Sequence, residues 1–503
     1  MLTVFQMQET ERRAFAAGIS AETLMEEAGA RMTSALLQFS PAAGRCLVVF
    51  GKGHNGGDAL VCARLLSEAG WRVTLVPAFE RPHWAPLTEK KWTQAGLCET
   101  QGDPALVENL ARTEKGPFLI LDGLLGIGAR GPLREPVANW CRLLNRWRAH
   151  LGARVAALDI PTGLYADTGA ADPDALRADW TLTVCCAKLG LVADGAEQNV
   201  GRLAVVPLPA LMQYAPPMPP EAPSIASAEK LAPLLPRRSA HIHKGDCGRV
   251  LLVAGNTGTV GAACLSARGA LRAGAGLVTL CVPAAIYGLA ASRAPEECMV
   301  LPFTQSREIL ALRSDSLGIG PGLGTHPSMI ETVLELVTSY PGPAVVDADA
   351  LNAIATHPAA LSACSGPRLL TPHAGEMLRL FAEAPHGNRF ETGCEFTRRH
   401  PVTLLLKGAR TLVCERGRVC FINPTGNPGM ASGGMGDVLT GVCATLLAQG
   451  MSASNTGTLA AWLCGRSAEM LVYSRARSEE SLLASDVADN LGAAIEDLRR
   501  GAF

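Results

Sequence analysis

Short, unbroken apolar runs, most of them closing on a glycine turn, recur along this chain. "RCLVVFGKG" (45–53), "WRVTLVPAF" (71–79), "PFLILDGLLG" (117–126), "ARVAALDIPTG" (153–163) and "DWTLTVCCAK" (179–188) come first. Runs without polar alternation suit strands buried on both faces. Helical patterns lie between most of them, notably over 57–69 and 135–149. Strands alternating with helices predict an α/β fold, here a Rossmann-like doubly wound sheet.

The alternation stops at "VPLPALMQYAPPMPPEAPS" (206–224), where seven prolines exclude a helix or central strand. A chain of 503 residues is too long for one ordinary core. The expected division is a first domain over 1–212, a linker over 213–224 and a second domain over 225–503. Past the linker the alternation resumes. Strands are predicted in "GRVLLVAGN" (248–256), "AGLVTLCVP" (275–283), "DSLGIGPGLG" (315–324), "GPAVVDADAL" (342–351), "PRLLTPHAGE" (367–376) and "PVTLLLKGARTLVCERGRVCFIN" (401–423). Helices are predicted over 261–273, 328–340, 436–449 and 457–475. The second domain is therefore also α/β, and larger.

Composition excludes several functions. Net charge is −1, which gives no reason to expect nucleic acid or an anionic membrane surface as partner, and aromatics at 5% argue against base-stacking platforms. Apolar runs are broken by Arg or Gly before they reach membrane-spanning length. The opening "MLTVFQMQETERRAF" has no signal-peptide pattern. The 16 cysteines are scattered without a CxxC spacing, as buried thiols in a reducing compartment would be. A cytoplasmic protein is expected, and exposed helices in the first domain suggest a homo-oligomer.

In an open parallel sheet, ligands bind beyond the carboxyl ends of the strands. Three such ends stand out in the first domain. "GKGHNGGD" follows a strand and opens a helix, where glycines and free amides favour an anion. Asp58, which closes it, equally suits a helix cap. "LDGLLGIGARGPL" adds a glycine loop led by Asp122, and "LDIPTGL" adds Asp159 and Thr162. Oxygens from Asn55, Asp122 and Thr162 fit a hard cation, or simply shape loops.

In the second domain, "NPTGNPGMASGGMGDVLTG" (423–441) is nearly free of charge until Asp437. Amides of Gly433–Asp437 at a helix start suit a phosphoryl group, and Asp437 suits a general base. "LTPHAGEM" (370–377) brings His373 and Glu376 to a strand end. "LLKGARTLV" (405–413) offers Lys407 to phosphates, or is a tight hairpin with a surface Lys. "LGIGPGLGT" (317–325) is a further glycine loop. "HIHKGDCGRV" (241–250) reads as an entry segment in which Lys244 meets an anion, in preference to a His241–His243 metal site.

Together "HKGDCGRVLLVAGNTGTVGAACLSARGALRAGAGLVTL", "IGPGLG", "DADALN", "TPHAGE", "LLKGARTLV" and "NPTGNPGMASGGMGDVLTG" resemble the ADP-dependent NAD(P)H-hydrate dehydratase family, whose fold is ribokinase-like. "GKGHNGGDAL", "LDGLLGIGARGPL" and "ALDIPTGL" resemble the NAD(P)H-hydrate epimerase family. The order of the two is that of the bifunctional bacterial repair enzymes. The resemblance implies that the first domain interconverts R and S hydrates of NADH and NADPH. It implies that the second dehydrates the S form with ADP, giving NAD(P)H, AMP and phosphate.

By motif, the resemblance implies that His54, Asn55, Gly56, Gly57 and Asp58 contact the hydrate. Gly126, Ile127, Gly128, Ala129, Arg130, Gly131 and Pro132 would hold its phosphates, and Asp159 would move the proton. Asn55, Asp122 and Thr162 would ligate potassium. In the dehydratase, Lys407, Gly408, Ala409, Arg410, Thr411 and Gly436 would bind ADP, with Mg2+. Ala262, Gly322, His373 and Asp437 would line the hydrate site, Asp437 taking the hydroxyl proton. Two departures are visible: the family usually has Asn where His54 stands, and Pro where Ala374 stands. A ribokinase-like small-molecule kinase fused to a nucleotide-binding domain, and a non-catalytic nucleotide sensor, are the competing readings.

Overall fold

The computed structural model describes residues 1–96, 108, 116–219, 221–384 and 387–503. The chain divides into two compact units, Met1–Pro219 with Phe503, and Pro220–Ala502. No helix among the described residues is long and apolar enough to cross a membrane.

The first unit holds one six-stranded sheet: β1 (Arg45–Phe50), β2 (Arg72–Pro77), β3 (Phe118–Gly123), β4 (Arg154–Leu158), β5 (Trp180–Val184) and β6 (Arg202–Val206). Its order is β2-β1-β3-β4-β5-β6, with every pair parallel. This is the doubly wound arrangement, and chain direction across the sheet reverses between β1 and β3. Five strands lie where the apolar runs predict them. The sixth, "RLAVV", abuts the proline-rich stretch and was not anticipated.

The second unit is built on a ten-stranded sheet. It comprises β7 (Ser224–Ile225), β8 (Arg249–Val253), β9 (Leu277–Pro283), β10 (Cys298–Phe303), β11 (Ser316–Ile319), β12 (Ala344–Val346), β13 (Arg368–Leu370), β14 (Thr403–Leu406), β15 (Thr411–Glu415) and β16 (Arg418–Asn423). The order is β10-β9-β8-β11-β12-β13-β14-β15-β16-β7. Here the reversal falls between β8 and β11. The sheet is mixed, because β14, β15 and β16 pair antiparallel. The run 401–423 is therefore three strands joined by tight turns. Arg416 and Gly417, both at positive φ, form the second turn. Strand β10, "CMVLPF", is itself an apolar run, but Pro302 inside it argues against a central strand, and it lies half-exposed on the sheet edge. Strand β7 lies at the end of the proline-rich segment, and a short helix, Pro209–Met212, lies inside it.

Helix Met435–Ala448 is buried almost throughout after its first turn. Its apolar residues Val438, Val442, Ala444 and Leu446 join the core shared with helices Val260–Arg272 and Ala453–Tyr473. Burial on all sides fixes where its amino end points. That end meets Asp347 after β12 and Lys407 after β14.

Candidate active sites

In the first unit the carboxyl ends of β1, β3 and β4 converge. Asp122 lies in register between Val49 and Ala157 and is fully buried. Its Oδ1 accepts from the Leu124 amide at 3.1 Å and from Thr162 Oγ1 at 2.8 Å, and its Oδ2 accepts from the Thr162 amide at 2.8 Å. Thr162 Oγ1 also accepts from the Leu125 amide at 3.2 Å, while Asn55 Nδ2 donates to the Leu125 carbonyl at 2.9 Å. Asn55, Asp122 and Thr162 are thus brought to one point around Leu125. Asn55 Oδ1 is buried there with no hydrogen-bond partner. Burial raises the Asp122 carboxyl to about 6, against the pull of its hydrogen bonds.

The glycine stretch before Asp58 is explained first by packing. A Cβ on Gly56 would lie 2.1 Å from the Gly51 carbonyl oxygen, so no larger residue fits where helix His54–Glu68 meets β1. Gly57 is buried in the same turn, whereas His54 at its start is exposed. Gly126 begins the next loop close to Asn55, and Gly128, Ala129, Arg130, Gly131 and Pro132 lie exposed beyond Ile127.

Asp159 follows β4 with φ 65, a left-handed conformation uncommon outside glycine that Asp adopts more readily than most. Its Oδ1 is 2.5 Å from the ammonium of Lys188, which is wholly buried. Nothing in the sequence singled out Lys188, a lone cation in a strand-following turn. Asp58 keeps a little exposed surface, yet its carboxyl sits deep. Burial, then Asp159 and Glu11, push it well above the usual carboxylate range. Glu11, on helix Val4–Ala16, is raised by burial and by Asp159. Three carboxyls and one ammonium therefore lie together here.

In the second unit the site forms where the sheet reverses. Thr259 Oγ1 donates to the Gly322 carbonyl at 2.6 Å, and Asn256 Nδ2 donates to the Leu323 carbonyl at 2.6 Å, lacing the β8 and β11 loops together. Gly322 has φ 65, and a Cβ there would lie 2.8 Å from Thr259 Cβ and 3.1 Å from Ala262 Cβ. Ala262 and Gly322 are therefore neighbours.

Asp347 follows β12 and is almost wholly buried. It accepts from Lys407 Nζ at 2.9 Å and from Thr440 Oγ1 at 2.9 Å. Lys407 Nζ is also 3.7 Å from Glu376 Oε2. Burial opposes its charge, but Asp347, Glu376 and Asp437 outweigh burial and hold the ammonium protonated. The segment is a tight turn between β14 and β15, yet its lysine points inward, not to the surface. A Cβ on Gly436 would come 3.3 Å from Asp347 Oδ2 and 3.4 Å from Lys407 Nζ, which places Gly436 against the same pair. Gly408 and Ala409 are exposed, Arg410 is buried, and Thr411 Oγ1 donates to the Gly408 carbonyl at 3.1 Å.

Asp437 lies in the first turn of helix Met435–Ala448. Burial, then Asp347, raise its carboxyl to about 6, although Lys407 pulls the other way. His373 caps helix Ala374–Leu380: its Nδ1 accepts from the amides of Gly375 at 3.0 Å and Glu376 at 3.2 Å. Nε2, 3.5 Å from Glu376 Oε1, therefore carries the ring hydrogen. The loop leading to Asp437 is held from behind. The Gly426 amide donates to Glu469 Oε1 at 2.8 Å, Arg466 pairs with Glu469, and Arg466 also binds Asp497. Asp347 was readable only as part of a strand-end motif, with no role attached. Lys244 and His243 are exposed at the amino end of β8, the edge opposite these loops, and do not join the site.

Two carboxylate-centred clefts at strand carboxyl ends, one carrying a raised acid at a glycine-opened helix start, define a two-site α/β enzyme. Sequence models of two families match the chain: YjeF-related protein N-terminus over residues 21–190 and NAD(P)H-hydrate dehydratase over residues 250–490. The bifunctional NAD(P)H-hydrate repair enzyme of Moorella thermoacetica is 36% identical, covering 99% of this chain and 97% of its own. That of Coxiella burnetii is 33% identical over 97% of each chain. Among solved structures, the ADP/ATP-dependent NAD(P)H-hydrate dehydratase from Bacillus subtilis co-crystallized with ATP/Mg2+ is 29% identical. It covers 55% of this chain and 98% of that one, at a TM-score of 0.48. The chain belongs to the bifunctional NAD(P)H-hydrate repair enzyme family.

Proposed function

We propose that the first unit epimerises hydrated NADH and NADPH and that the second dehydrates the S epimer with ADP. The observation that carries this reading is Asp437, a half-buried acid beside free helix-start amides and facing the Lys407–Asp347 pair. Amides there stabilise a transferring phosphoryl group, and a carboxylate near pKa 6 accepts a proton at neutral pH.

In the dehydratase, the hydroxyl of the hydrated ring attacks the terminal phosphorus of ADP. An O–P bond forms, the bond to AMP breaks, and Asp437 takes the hydroxyl proton. The C–O bond then breaks as the ring nitrogen donates its electron pair. Phosphate leaves, and loss of a proton from the adjacent ring carbon restores the double bond. Lys407, Gly408, Ala409, Arg410, Thr411 and Gly436 hold ADP in this reading. Ala262, Gly322 and His373 line the hydrate. Among the described residues no cluster of three His, Cys, Asp or Glu could hold a metal. Mg2+ would therefore arrive on the nucleotide's phosphates, which suits its preference for water and phosphate oxygens.

In the epimerase, Asn55, Asp122 and Thr162 would hold K+. The donor set is all oxygen, and the partnerless Asn55 Oδ1 supports the fit. The ion would offset negative charge brought in by the substrate's phosphates. Asp58 and residues 54–57 and 126–132 would flank the substrate, and Asp159 would move the proton at the epimerising carbon. Free thiols throughout the described residues support a cytoplasmic setting. Assembly into a homo-oligomer, and a functional boundary at 213–224, complete the reading.

The test supplies R and S hydrates of NADH with ADP, K+ and Mg2+, and follows reduced-nicotinamide absorbance. Complete recovery, with R consumed faster than by spontaneous epimerisation, is expected. No recovery with ADP or ATP, and a stable phosphorylated product from another acceptor, would replace this reading with the small-molecule kinase.

A further inference from the structure

Asp159 is held by one oxygen only. Its Oδ1 accepts from Lys188 Nζ at 2.5 Å, from Thr183 Oγ1 at 3.3 Å and from the Val184 amide at 3.4 Å. No hydrogen bond among the described residues reaches Oδ2. The ammonium is equally committed. Lys188 Nζ donates to Asp159 Oδ1, to Thr183 Oγ1 at 2.8 Å and to the Val184 carbonyl at 3.2 Å. Those three acceptors use its three hydrogens. Its backbone is fastened too: Leu2 forms a parallel bridge with Lys188, and the Leu2 amide donates to the Ala187 carbonyl at 2.9 Å.

We propose that Lys188 is a positioning residue for the epimerase: it saturates Oδ1 of Asp159 and so presents Oδ2 as the single oxygen that exchanges a proton with substrate. This rests on the reading of Asp159 as the proton carrier. A carboxylate anchored through one oxygen cannot turn, so the other stays aimed across the catalytic cycle. Charge supports the same role. Asp58, on helix His54–Glu68, and Glu11, on helix Val4–Ala16, face Asp159, and Lys188 is the cation set among them. Without it, nothing would offset the three crowded carboxyls, and negative charge among them would be disfavoured. Thr183 is the relay, accepting from the ammonium and donating to the carboxylate.

Lys188→Met in the full chain is the test, with pure R hydrate as substrate and dehydration of S hydrate as internal control. Turnover of R is expected to fall at least about tenfold, short of the roughly 10²–10⁴-fold ascribed to the positioned proton carrier itself. KM should stay within about twofold, and the acid limb of the pH–rate profile should move to higher pH. The S reaction should be unchanged. Unchanged turnover and an unchanged pH profile would overturn the proposal. So would losses of kcat and KM that merely follow a lower melting temperature. If Lys188→Met unfolds the first unit, Thr183→Val takes its place, with a smaller kcat loss expected and an unaltered rate overturning the idea. Asp159→Asn separates the two layers. If that variant keeps turnover, the reading of Asp159 fails. If it loses turnover while Lys188→Met keeps it, only the role of Lys188 fails.

Discussion

The ammonium of Lys407 lies 2.9 Å from the Asp347 carboxylate, and the other oxygen of that carboxylate is bound by Thr440 on the helix that carries Asp437. The β14–β15 turn, the β12 end and helix Met435–Ala448 are thereby fastened at one point. Lys407→Met leaves a buried carboxylate without its counter-charge. A stability loss of about 3 kcal/mol is expected, measured by denaturant unfolding. The acid limb of the dehydratase pH profile should also move upward, because Lys407 is the group that lowers the Asp437 pKa.

Dehydratase turnover should fall as pH drops through about 6, the value to which burial raises Asp437. Only the ionised acid accepts the hydroxyl proton. Asp437→Asn should remove turnover at every pH while ADP still binds by calorimetry. The stability sign is opposite. A carboxyl whose folded pKa lies above its unfolded one binds protons more tightly when folded, so stability falls as pH rises between about 4 and about 6. Above that window Asp437→Asn should melt a few degrees higher than the parent chain, on the order of 1 kcal/mol.

Thr162→Val removes the hydroxyl that donates to Asp122 and accepts from Leu125. Stranding buried polar groups costs about 1–3 kcal/mol. Epimerisation should lose its response to K+ when K+ is exchanged for Na+ at constant ionic strength. An undiminished K+ response would remove the ion from these residues.

Two glycine substitutions should part company. Gly56→Ala places a Cβ against the Gly51 carbonyl and should abolish epimerisation with a marked loss of stability. Gly433→Ala meets nothing within 4 Å, keeps its amide, and should leave dehydration within about twofold. Rates on pure R and pure S hydrate decide both.

His54→Asn restores the residue that the resemblance leads one to expect. The ring is exposed at the helix start, so kcat should be kept and only KM should move, within about threefold by steady-state kinetics.

Much of the architecture was readable because buried parallel strands are unbroken apolar runs. Five of the six strands in the first sheet announce themselves in this way. Strand β10 is as apolar as these, but Pro302 inside it and its place on the sheet edge disguise it, and 401–423 hides two turns inside one apolar run. The clefts were partly legible for a related reason: strands end in loops, and Asp122, Asp159 and Asp437 stand out in glycine-rich, charge-poor surroundings. Their partners do not. Lys188 and Glu11 reach Asp159 through tertiary packing from segments with no motif. Asp347 reaches Lys407 across the sheet. Sequence also could not separate glycines that bare an amide from those, like Gly56, that only make room.

The buttress behind the loop leading to Asp437 has a consequence for where this gene tolerates damage. Glu469 holds the Gly426 amide, Arg466 holds Glu469, and Asp497 holds Arg466. The match to the dehydratase family model ends at residue 490, short of Asp497. A late nonsense or frameshift allele that spares every matched residue would still cut the last member of this chain. Screening alleles by the bounds of that match alone would score it as harmless.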